Sequence, residues 1–240
     1  MSTSAASRRS LLVSGGAAAL GIGLLGAGSG SAQAAVSRSA AVTTPQAALE
    51  RLLRGNRRFI TGHARHPDQT VTHLHEIASG QHPFVTTIGC ADSRVSPEIL
   101  FDEGLGDIFD NRVAGNLVDD LLLGSVEFAV EEFATPLILV LGHERCGAIS
   151  AAVEALESGS TPAGHIGTIV EALRPVVEPL LGTSADPAET IEAAVRANVR
   201  AQVQALTEQS SLIAERVAKG EVRVLGARYD LDNGKVTLVH

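Results

Sequence analysis

Both cysteines of this 240-residue chain lie in short segments of mixed chemistry: Cys90-Ala91-Asp92-Ser93-Arg94 and His143-Glu144-Arg145-Cys146. Two thiolates and an imidazole are soft-to-borderline donors of the kind that suit zinc. His143 and Cys146 are three residues apart, a spacing that brings both side chains to one centre on a single turn. Gly142 and Gly147 flank them and allow the backbone to come close. Three protein ligands leave a fourth position, open to water or to Asp92. Asp92 and Arg94 are two apart, so on an extended chain both point to one side and can form a bidentate pair. An Asp held in that way beside a metal either orients a reacting water or closes the site as a ligand. Two cysteines can equally make one disulfide if the compartment is oxidising.

The elements that must carry these residues are legible from hydrophobic pattern. Pro83–Gly89 and Pro136–Gly142 are short apolar runs bounded by Pro and Gly, which read as strands buried on both faces. Such strands are typical of parallel sheets, where ligands bind at the carboxyl ends. Cys90 and His143 stand just past two such ends. The spacing predicts helices from Pro45 to Ile60, Val71 to Ser79, Glu98 to Glu103, Asp120 to Phe133, Cys146 to Gly159, Ile166 to Leu181, Glu189 to Leu206 and Ser211 to Lys219. A strand entering at Asp107–Phe109 and running toward Arg112 completes a β-α-β-α-β-α order. Glu221–Tyr229 and Lys235–Val239 flank Asp232-Asn233-Gly234, a turn signal, and form a hairpin. The expected fold is therefore α/β: a mostly parallel central sheet, flanking helices and a C-terminal antiparallel edge hairpin.

Composition narrows the function. Hydrophobic residues make up 45% of the chain, enough for one sizeable domain. The formal charge is −8, Trp is absent and Tyr occurs once, so no nucleic acid partner is expected. Residues 1–34 read as a signal peptide of twin-arginine type. Arg8-Arg9 precede a Gly/Ala-rich apolar run, and Ala32-Gln33-Ala34 is a small-x-small cleavage signal. Residues 35–43 read as a linker and 44–240 as the catalytic domain. The expected location is outside the cytoplasm, with no stable membrane span after the signal is removed. The remaining histidines carry no ligand context.

The pattern Cys-x-Asp-x-Arg followed by His-x-x-Cys resembles the β-class carbonic anhydrases. The likeness extends over about residues 44–239, including Arg112, Ala114-Gly115-Asn116 and the closing Gly226–Asp230 and Gly234–Val236 stretches. It implies one zinc ion on Cys90, His143 and Cys146, with water in the fourth place and Asp92 a ligand only in a closed form. It implies that Asp92 and Arg94 are catalytic, Asp92 accepting a hydrogen bond from hydroxide and Arg94 keeping it ionised. Gln81, nine positions before Cys90, and Phe109 match the family's substrate-binding Gln and aromatic wall. The substrate pair would be carbon dioxide and bicarbonate, and the assembly a homodimer or larger. Asp110-Asn111 departs from the family's β-branched pair, so that strand is expected to be shorter. A carbonyl sulfide hydrolase on the same scaffold, or an exported non-catalytic protein with a closed zinc or disulfide site, are the other readings.

Overall fold

A computed structural model describes residues 42–240. The expected signal peptide and most of the linker lie outside the described residues. Five strands form one sheet in the order β2-β1-β3-β4-β5. They are β1 (Val85–Gly89), β2 (Ile108–Arg112), β3 (Leu137–His143), β4 (Arg223–Tyr229) and β5 (Val236–Val239). The first four are parallel, and β5 returns antiparallel at the edge. The α/β expectation, edge hairpin included, is thus realised.

Helix α1 (Pro45–Ile60) starts where the sequence signals it. The Thr44 hydroxyl accepts from the Ala47 N–H, and Pro45 takes the first helical position. Helix α2 (Val71–Glu76) follows. Helix α3 (Pro97–Leu100) is shorter than expected, because Asp102 turns left-handed at φ +51° and is drawn out to bond Arg58 and the Arg65 and His66 N–H groups. Helix α4 (Asp120–Phe133) is capped by Asp119 and α5 (Gly147–Ser158) by Cys146. Helices α6 (Ile166–Val177), α7 (Pro187–Gln209) and α8 (Ser211–Ala218) complete the chain.

The sheet is covered on both faces. On β3, Leu137, Leu139 and Leu141 pack toward Leu49 and Leu52 of α1 and Leu100 of α3. Ile138 and Val140, pointing the other way, join Val126 of α4, Val199 of α7 and Ile213 of α8. The alternation follows from the two-residue repeat of a strand. Helix α7 lies so close to the sheet that a Cβ on Gly142 or Gly226 would come within 2.5 Å of Val199.

Strand β2 runs through to Arg112, although the sequence predicts a shorter one. Its polar pair is paid for by neighbouring threonines. The Thr87 hydroxyl donates to Asp110, and the Asn111 amide donates to Thr86 Oγ1 and the Thr87 carbonyl.

Candidate metal centre and active site

Strand order brings the two motifs together. From β1 the chain crosses to β2 on one side and later returns to β3 on the other, so the direction of winding reverses between β1 and β3. Gly89 is level with Leu141, and the carboxyl ends of the two strands open side by side. A ligand crevice belongs at such a point. Cys90 follows β1, His143 ends β3, and Cys146 immediately precedes α5 at its N-cap position.

All three side chains are buried, and their donor atoms lie within 4.8 Å of one another. The two sulfurs are 4.0 Å apart and not bonded. A tetrahedral ion about 2.3 Å from each sulfur would hold them about 3.8 Å apart. His143 hydrogen-bonds the Glu144 carbonyl through Nδ1 at 2.9 Å. With the proton on that nitrogen, the Nε2 lone pair is free to ligate. Nε2 is buried without a hydrogen-bond partner. An orphaned acceptor beside two thiols is what a bound cation would satisfy, and the donor set fits zinc.

The charges agree. The Cys146 thiol hydrogen-bonds the Cys90 sulfur and, with His143 and the Gly115 N–H, holds the Cys90 thiol well below its usual range against the opposing effect of burial. Bonding to charged Cys90 and burial push the Cys146 thiol up. Cys146 sits at the α5 N-terminus, with the Ala148 and Ile149 N–H groups turned to it, which favours thiolate there.

Asp92 and Arg94 are paired as their spacing suggests. Arg94 Nε donates to Asp92 Oδ1 at 3.0 Å and Nη2 to Oδ2 at 2.7 Å. The Arg94 backbone N–H adds a third bond at 2.9 Å. These bonds hold the Asp92 carboxyl far below the usual carboxylate range. Asp92 Oδ2 lies 3.8 Å from His143 Nε2, so the carboxylate borders the place a metal would take.

Arg112 has a role that the sequence does not disclose. It donates to the Cys90 carbonyl from Nε and Nη2, at 3.0 and 2.8 Å, and to the Asp92 carbonyl at 2.6 Å. One guanidinium therefore fixes the loop that carries both residues. The Gly115 N–H donates to Cys90 Sγ at 3.4 Å. Its sequence signal is the Ala114-Gly115-Asn116 stretch just beyond β2, where Gly115 takes φ +80°.

Gln81 and Phe109 are not brought to this centre within one chain. Gln81 is exposed at the opposite end of β1, whose five residues alone span roughly 16 Å. Phe109 is level with Thr86 and stacks on Phe133 and Phe128, ring centroids 5.7 and 6.3 Å away.

The family model described as carbonic anhydrase matches residues 85–236. Carbonic anhydrase 2 of Mycobacterium tuberculosis is 43% identical over 196 residues, covering 82% of this chain and 93% of that protein. The carbonic anhydrase of Mycolicibacterium smegmatis is 40% identical, covering 82% and 94%. Among solved structures, the β-carbonic anhydrase CafA of Aspergillus fumigatus superposes with a TM-score of 0.63 at 28% identity, covering 79% of this chain and 89% of that one. One of two tetrameric β-carbonic anhydrases from Sordaria macrospora gives 0.63 at 25% identity, covering 80% and 96%. The chain belongs to the carbonic anhydrase family, in its β class. The chain is accordingly an enzyme, a carbonic anhydrase.

Proposed function

We propose that the protein catalyses the reversible hydration of carbon dioxide to bicarbonate and a proton, with one zinc ion held by Cys90, His143 and Cys146. The observation that carries this is the buried Cys-His-Cys cluster with an unpartnered His143 Nε2, bordered by the clamped Asp92. Zinc bound there supplies the Lewis acidity that makes hydroxide available near neutral pH. Asp92, held ionised, would accept a hydrogen bond from the oxygen nucleophile and so orient it toward carbon dioxide. Arg94 keeps Asp92 ionised and occupies both its oxygens, which supports a fourth position left open rather than closed by Asp92. Arg112 holds the Cys90 and Asp92 carbonyls, and so the geometry between ligand and acceptor. Bicarbonate then leaves and the proton passes to buffer.

Gln81 and Phe109 we assign to substrate binding from a second copy of the chain, because neither reaches the centre of its own. A homodimer or larger assembly follows from that assignment, and a tetrameric relative supports it. Export through a twin-arginine signal at residues 1–34 rests on Arg8-Arg9 and the apolar run behind them.

Stopped-flow hydration by the zinc-loaded protein tests the main reading. Cys146→Ser should lose zinc and activity together. Asp92→Ala should keep zinc and lose about a hundredfold or more in rate, the scale of a proton-handling group. Full activity in Cys146→Ser would refute the zinc site. Turnover of carbonyl sulfide matching that of carbon dioxide would instead favour the hydrolase.

A further inference from the structure

Helix α7 belongs to the stretch between residues 158 and 211, for which the sequence offers no motif. Its buried side is apolar except for Thr190 near its start and the amides Asn198 and Gln202, one turn apart. Burying two amides is costly unless each is hydrogen-bonded. Here they are, in one chain of bonds directed at the active-site loop. Asn198 Nδ2 donates to the Gly115 carbonyl at 2.8 Å. Gln202 Nε2 donates to Asn198 Oδ1 at 3.0 Å, and Gln202 Oε1 accepts from the Val118 N–H at 2.9 Å.

The loop held in this way is an improbable one. Gly115 and Asn116 are both left-handed, at φ +80° and +44°. For Asn that conformation costs energy and persists only where surroundings enforce it. The turn also presses on α5: a Cβ on Gly115 would come within 3.3 Å of the Ala148 Cβ. The product of the arrangement is a buried donor, the Gly115 N–H, aimed at Cys90 Sγ at 3.4 Å.

We propose that Asn198 and Gln202 are positioning residues for the metal centre, gripping the Gly115 and Val118 peptides so that the Gly115 N–H stays on the Cys90 sulfur. The inference rests on Cys90 being a metal ligand. A hydrogen bond to a thiolate draws charge from it and tunes its donor strength, as outer partners of metal ligands generally do. Without Asn198 the Gly115 carbonyl is unpaired, the 115–116 peptide can turn, and the adjacent peptide that carries the Gly115 N–H loses the restraint that keeps it on the sulfur.

The test uses the full chain with cobalt(II) in place of zinc, read by the thiolate-to-cobalt charge-transfer band, and zinc-loaded chain challenged with a chelator. Asn198→Leu should move the band to longer wavelength and speed zinc release about tenfold. Gln202→Met should do the same to a smaller degree. Leu206→Ala, one turn further along α7 and buried, should lower the melting temperature without moving the band. Band positions and release rates in Asn198→Leu and Gln202→Met that match the parent would overturn the proposal and leave the pair as a buttress for the fold. If Asn198→Leu does not fold, Gln202→Met decides by the same two readouts. A parent protein with no such band would refute the metal reading itself, and with it this inference.

Discussion

Asp110 is a carboxylate inside a strand that is buried on most of its surface. Burial pushes its carboxyl up to about 6, opposed by the Thr87 hydroxyl and Arg112 and reinforced by the charge of Glu98. An acid with a raised folded-state value holds its proton in the native protein after the unfolded chain has released it. Stability therefore falls as pH rises from about 4 to about 6 and stays low above that range. Asp110→Asn keeps an acceptor for Thr87 and removes the charge. Urea unfolding should show the variant more stable at pH 7.5, by at most about 3 kcal/mol. The gap should narrow as pH falls toward 4. A gap of the same size at pH 7.5 and pH 4.5 would disprove the titration. The clamped pair belongs to the same scale: Asp92 and Arg94 were legible as bonded partners because a two-residue spacing determines their bonding almost alone.

Among the elements, α4 and β2 together present an unpartnered face. Leu121 and Phe128, seven residues apart and so on one side of α4, are 85% and 51% exposed. Phe128 continues into the Phe109–Phe133 cluster, and β2 is the free edge of the sheet. Placing a second copy here joins the proposed source of Phe109 to an apolar surface that water otherwise covers. Leu121→Arg should shift the mass measured by light scattering from dimer or larger to monomer and reduce carbon dioxide hydration with it. An unchanged assembly in that variant would move the interface elsewhere. Element boundaries followed from pattern where caps and periodicity agreed, as in α1 and α4. They failed at α3, because the pull of Arg58, Arg65 and His66 on Asp102 comes from other parts of the chain.

At the scale of the molecule, the proposed export rests on the signal read at residues 1–34, which lie outside the described residues. None of the described helices is long and apolar enough to cross a membrane. If the twin-arginine reading holds, replacing Arg8 and Arg9 by lysine in the full chain should leave the protein in the cytoplasmic fraction. The parent should appear outside it, shortened at its N-terminus. Equal distribution of the two proteins would reject that signal.

By itself the sequence determined which atoms are available for chemistry and where along their strands they fall. Cys90, His143 and Cys146, the Asp92–Arg94 pair, the parallel sheet and its closing hairpin all depend on neighbours a few residues apart. Those are the distances over which helix and strand periodicity operate. Only the tertiary structure decided that β1 and β3 lie side by side, and so that Cys90 and Cys146, 56 positions apart, meet at 4.0 Å. It decided as well that Arg112 grips the Cys90 loop, that Asn198 reaches Gly115 across 83 positions, and that Phe109 sits level with Thr86, packed on Phe128 and Phe133, rather than beside the sulfurs. Such contacts are set by strand order and by how helices pack across the sheet. Neither leaves a periodic trace in the residues that end up touching.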